Sequence, residues 1–216
     1  MTDTAAEKIP ATAPAAPATA APALLRSDPA MIGIPNVIAG ATGLGLVTVG
    51  AVPAHAAGAA LPILLSATSI GMLIATIWAA ALGQNMTATI YGTIFGFYIS
   101  YVALSLGLDH SWYAIPTADA PSALRLYLIC WLVTIGLLTL TTLRMPAAFP
   151  ILFTLVDIAL ALLLAGSYAS SAGLDKAGGY VVLAFVAEAI YLYVHVMEVA
   201  HGAKGLLLGR PLLGRA

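Results

Sequence analysis

The chain has 216 residues, of which 61% are hydrophobic and 8% charged, and its mean hydropathy is +1.00. That excludes an ordinary soluble domain, where charged residues make up about a quarter of the total. A net charge of −1 gives no footing for nucleic acid, and a single cysteine, Cys130, excludes a disulfide framework or a paired-cysteine metal site.

Residues 1–27 are an Ala/Pro-rich tail, including the run ATAPAAPATAAPA. Repeated proline breaks helix and small side chains build no core, so the tail is predicted to be disordered. It lacks the apolar stretch of a cleaved signal peptide, and the first span would therefore act as its own insertion signal. From Pro29 to Leu108 the chain contains no Asp, Glu, Lys or Arg. Reading apolar runs against their punctuation places six spans, at about 31–52, 60–81, 87–108, 122–143, 148–168 and 178–200. The breaks fall at Pro53 with His55, at Gly83-Gln84-Asn85, from Asp109 to Pro121, at Arg144-Met145-Pro146, and from Ser170 to Gly178. The expected architecture is an all-α integral membrane protein, with six transmembrane helices per protomer over residues 28–203 and an oligomeric, channel-like assembly. Residues 204–216 would form a short basic tail.

An even number of spans puts both termini on one side. With the N-terminus inside, Lys8, Arg26, Arg144, Lys204, Arg210 and Arg215 are cytoplasmic, while only Arg125 and Lys176 fall outside. Asp109, Asp119 and Asp175 would also lie outside. The expected location is the inner (plasma) membrane, with both termini cytoplasmic.

Two carboxylates interrupt the apolar spans. Asp157 lies about nine residues into the fifth span, roughly 14 Å deep, and Glu188 about ten residues into the sixth from the opposite side. A charge at the bilayer centre costs at least about 2.5–3.5 kcal/mol, so such groups are usually paired, protonated or functional. If the two meet, they could share a proton. Otherwise Asp157 would satisfy itself by a hydrogen bond to a neighbouring helix or subunit. Glu188, Tyr191, His195 and Glu198 follow one another at helical spacing and form a polar stripe. His195 and Glu198 can equally be read as polar residues at the interfacial end of the span.

The third span carries Thr87, Thr89, Tyr91, Thr93, Phe95, Tyr98, Ser100 and Tyr101, hydroxyls and aromatics suited to a conducting path. Its Thr hydroxyls can also bond back to their own helix. Gly92 with Gly96 is a small-xxx-small pair for close packing, and the glycines of the first span read the same way. No P-loop, HExxH or GxSxG is present, the glycine run at 40–45 has no preceding strand, and no enzyme or cofactor chemistry is indicated.

Several segments together carry a resemblance. Asp28-Pro29-Ala30-Met31-Ile32-Gly33-Ile34 resembles the NPAPLGL signature of the acetate uptake transporter family, matching at Pro29, Ala30 and Gly33. The stretch from Gly83-Gln84-Asn85 through Thr93 and Gly96 is similar to that family's GNT…TSYGSF region. Ala189-Ile190-Tyr191-Leu192 matches its AIYL, and the Leu143-Arg144 turn resembles its fourth-to-fifth junction. The resemblance implies a six-helix protomer, commonly hexameric, that passes acetate and related small monocarboxylates together with protons. It also implies a constriction at Val37, Phe95 and Val156, where the family carries Phe, Tyr and Leu. Asp157 and Glu188 are not part of the family pattern.

A second reading is a channel for small neutral amides such as urea. Phe95-Gly96-Phe97 and Gly107-Leu108-Asp109 with Trp112-Tyr113 are similar to segments of the six-span urea/amide channels. A third is a non-transporting membrane scaffold or sensor.

Overall fold

The computed structural model describes residues 27–214, and the tail expected to be disordered lies almost wholly outside them. Among the described residues, six helices are long and apolar enough to cross a membrane. They are α1 (Ala30–Thr48), α2 (Ala54–Ala81), α3 (Asn85–Asp109), α4 (Ala120–Thr142), α5 (Ala148–Ala169) and α6 (Ala172–Ala200). In a bilayer each must satisfy its backbone internally, which a helix does and an open strand does not.

The helices form a closed ring in chain order. α1 packs between α6 and α2, α2 lies on α3, α4 on α5, and α5 on α6. The α3–α4 seam has less backbone contact and is bridged by side chains instead. Tyr127 donates to the Phe97 carbonyl at 2.8 Å, and Trp131 Nε1 donates to Ser100 Oγ at 3.1 Å. Leu64, Met72 and Ile135 are fully buried inside the ring, whereas Ile77, Val133, Leu137 and Leu140 are more than half exposed on its outer face. Apolar outside as well as inside is the pattern of a lipid-facing bundle.

α2 is not a uniform helix. It enters through a 3₁₀ turn at Ala54–Ala59, and from Ile63 to Thr68 it widens to a π-helix just after Pro62. Proline supplies no amide to the helical ladder, and widened turns are one way a helix absorbs the gap. The widened turn sets Thr68 against α1, where its Oγ1 donates to the Asn36 carbonyl at 3.0 Å. A Cβ on Gly40 would lie 2.5 Å from that Thr68 Oγ1, so the two helices touch at backbone distance.

Two helix ends differ from the sequence expectation. α1 stops at Thr48, where Gly50 turns the chain with φ +81°. α6 begins at Ala172, well before the expected 178. Ser171 caps it, its Oγ accepting from the Leu174 amide. Gly178, read as the end of the break before the last span, lies well inside α6, and both it and Gly179 are packing surface. A Cβ on Gly179 would lie 2.8 Å from Val49, and one on Gly178 would lie 3.0 Å from Leu163.

Beyond α6 the chain folds back as an extended strap. Ala148 N–H donates to the Leu208 carbonyl and Leu213 N–H to the Leu143 carbonyl, both at 3.0 Å. This ties residues 208–213 across the start of α5.

Candidate transport path

The ring encloses four cavities that share walls and run from one end of the bundle to the other. At the α3–α4 end, a vestibule of about 750 Å³ is bordered by Asp109, Thr117, Ser167 and Asp175. It shares Thr48, Tyr101, Leu128 and Leu163 with a chamber of about 100 Å³. That chamber is apolar apart from Thr48 and the tyrosines Tyr98, Tyr101 and Tyr127. A second chamber of about 50 Å³ follows and shares Ile94 and Phe185 with the first. It opens past Ile34, Tyr91 and Leu192 into a vestibule of about 260 Å³ at the end where the described chain begins and finishes. Asp28, Gln84, Thr87 and His195 line this last space, together with Leu208 of the strap.

Helical periodicity explains the alignment. On α3, Thr87, Tyr91, Ile94, Tyr98, Tyr101 and Ser105 alternate by four and three along a single face, with Ile90, Phe97 and Leu104 flanking it on the cavity side. From Thr87 to Ser105 this face rises about 27 Å, close to the thickness of a hydrocarbon core. α6 offers Val182, Phe185, Ala189, Leu192 and Val196 with the same alternation, and α1 offers Ile34, Val37, Ala41, Leu44 and Thr48.

The residues singled out from sequence fall in different places. Val37 lines the 50 Å³ chamber and Val156 the 100 Å³ chamber. Phe95 lines none of the four cavities and packs as a partly buried residue against the core. Each helix residue turns about 100°, and Phe95 is one position off the lining face. Thr93 is likewise off that face, whereas Tyr91 lines the two cavities nearest the chain ends. The signature residues build that same end. Asp28 Oδ1 accepts from the Ala30 amide at 2.8 Å, Pro29 precedes α1, and a Cβ on Gly33 would lie 2.5 Å from the Tyr91 ring. Asn85 starts α3, and Gly96 faces Trp131 of α4.

The buried acids lie beside the path rather than in it. Asp157 follows Val156 on α5, and its Oδ2 accepts from Thr139 Oγ1 of α4 at 2.6 Å. Its Oδ1 is buried without a hydrogen-bond partner among the described residues. Glu188 is half-buried, one position away from Ala189 of the α6 lining face, and lines none of the four cavities. No hydrogen bond joins the two carboxyls among the described residues. Tyr191 donates to the Leu207 carbonyl at 2.6 Å, and His195 Nδ1 lies 2.8 Å from the Leu206 carbonyl, so both hold the strap. Glu198 is exposed near the end of α6. Ser100 and Thr89 donate to carbonyls of their own helix, as hydroxyls in spans commonly do.

Sequence reasoning did not single out Ile94, Tyr127, Phe185 or the strap. Ile94 had a signal, since it completes the four-three alternation between Tyr91 and Tyr98. Phe185 had the same signal relative to Leu192. Tyr127 is one aromatic in an apolar run, and nothing local marks it.

Residues 13–205 match the model described as the GPR1/FUN34/yaaH family. Accumulation of dyads protein 2 of Saccharomyces cerevisiae is 32% identical over 145 residues, covering 64% of this chain and 49% of that protein. Meiotically up-regulated gene 86 protein of Schizosaccharomyces pombe is 31% identical over 99 residues, covering 44% of this chain and 31% of that one. The chain thus spans half or less of these relatives. The solved structure of the bacterial acetate channel SatP superposes with a TM-score of 0.74 at 24% identity, covering 83% of this chain and 97% of that one. At that identity the likeness is one of fold.

Proposed function

Because this chain belongs to the GPR1/FUN34/yaaH family, we propose that it carries acetate and related small monocarboxylates across the membrane through its own six-helix bundle. The observation that carries this reading is the unbroken sharing of walls among the four cavities, from Asp109 at one end to Asp28 at the other. The likeness in fold to an acetate channel supports the choice of cargo.

The lining suits a small amphipathic solute. A 100 Å³ chamber is several times the roughly 10–15 Å³ that holds one water, enough for a solute of about four heavy atoms such as acetate. Its aliphatic walls meet the methyl group, and tyrosine hydroxyls offer hydrogen bonds to the carboxyl without a full charge. Both chambers lack any charged side chain in their walls, so an ionised acid meets no cation there. An acid that crosses with its proton avoids the cost of a bare charge in this low-dielectric space, which favours a proton-linked passage.

In the proposed setting both termini face the cytoplasm, the vestibule with Asp109 and Asp175 opens outward, and the protein resides in a plasma membrane. The apolar outer faces are available to lipid and to further copies, consistent with the hexamer that the resemblance implies. Val37 and Val156 flank the narrow middle of the path. Asp157 is proposed to serve the α4–α5 seam rather than to touch cargo.

Uptake of labelled acetate into proteoliposomes tests the reading. Uptake above protein-free liposomes that rises with an inward proton gradient is expected. Urea uptake indifferent to the gradient, with no acetate uptake, would replace it by the neutral-amide reading. A folded protein passing neither would leave the scaffold or sensor.

A further inference from the structure

Two side chains stand between the chambers in the middle of the bundle. Ile94 of α3 and Phe185 of α6 each line both spaces, and each is more than nine-tenths buried. α3 and α6 are opposite members of the ring, so the two side chains come from opposite walls of the lumen. A tyrosine belongs to the wall on either side. Tyr98 lies one turn beyond Ile94 in the larger chamber, and Tyr91 about one turn before it in the smaller. A solute moving between these tyrosines travels about 10 Å along α3 and must cross the plane of Ile94 and Phe185.

The two sides of this septum differ in stiffness. Ile94 is β-branched and sits in a helix, where one χ1 rotamer dominates. Phe185 has no branch at Cβ and carries a flat aromatic ring. Its neighbours on the lining face of α6 are Val182 and Ala189, neither of which carries a ring. Val37 and Val156 border the two chambers nearby with short side chains. Of the two side chains common to both chambers, the aromatic one comes from α6.

We propose that Phe185, closing against Ile94, is the size-selecting septum of the path, passing short-chain monocarboxylic acids and rejecting longer ones. This rests on the transport reading given above. An acid with the chain length of acetate passes after a small tilt of the ring. Each added methylene requires further displacement of a ring already packed by the core.

Selectivity in proteoliposomes tests this, measured as the ratio of butyrate to acetate uptake. The full-length wild type is compared with Phe185→Leu, Phe185→Ala and Ile94→Ala, each checked for a single folded peak in detergent. A methylene in an apolar pocket is worth roughly 10-fold or more in discrimination. Butyrate carries two methylenes more than acetate, so the ratio is expected to rise by up to about a hundredfold in Phe185→Ala and Ile94→Ala, and by less in Phe185→Leu. The mild Phe185→Leu change and the opposing Ile94→Ala change keep the test decisive if the alanine at 185 prevents folding. Wild-type protein that takes up acetate, with folded variants at an unchanged ratio, overturns the septum and leaves the transport reading standing. Wild-type protein that takes up neither acid overturns the transport reading itself, and the septum with it.

Discussion

Asp157 illustrates how far a single residue can be read in advance. Its oddity was plain from the sequence, and so was the option of a hydrogen bond to a neighbouring helix. The actual partner, Thr139 of α4, was not, because the choice depends on which face of α4 turns toward α5. Interhelical hydrogen bonds in membranes contribute about 0.6 kcal/mol on average and at most about 1.7. Asp157→Ala is therefore expected to lower unfolding stability in mild detergent by that order. Its acetate uptake should stay within about twofold of wild type, since a group beside the path contributes little to the transport barrier. Gly33 should behave differently. A Cβ there meets the Tyr91 ring at 2.5 Å, and Tyr91 lines the path. Gly33→Ala should cost about 1–3 kcal/mol through overpacking and should also reduce uptake by displacing that ring. A stability loss with unchanged uptake would separate Tyr91 from the cargo.

At the scale of elements, the number and order of spans followed from hydropathy alone, because lipid demands long apolar helices. Their ends were less legible. Gly178 looks like the end of a loop until the close approach of α5 is known. The identity of the lining face on α3 was half legible. The hydroxyls and aromatics were visible, but a register set on Phe95 instead of Ile94 turns the face by about 100°. The strap was not legible at all. It is a short Gly/Leu run whose backbone partners are the side chains of Tyr191 and His195 and the backbone of residues 143 and 148. Tyr191→Phe removes one of these bonds, worth about 0.5–1.5 kcal/mol. Hydrogen exchange at the amides of Ala148 and Leu213 should then speed up roughly 2- to 12-fold, the same energy expressed as a ratio. Unchanged exchange there would mean that the strap is held by its apolar contacts instead.

For the whole molecule, the central claim is that cargo passes inside one ring of six helices, across the plane of Ile94 and Phe185, and not between copies. The ring order and the continuity of its cavities arise from contacts among distant segments, which no local pattern encodes. The one cysteine of the chain, Cys130, is exposed on α4, away from the cavities, and can be replaced by serine. The most direct measurement is acetate uptake by Ile94→Cys in that Cys130→Ser background, before and after treatment with a small thiosulfonate reagent. Uptake should fall at least about tenfold once the thiol is capped, corresponding to about 1.4 kcal/mol of added barrier. Undiminished uptake by protein whose Ile94→Cys thiol is shown by mass to be fully capped would contradict the account.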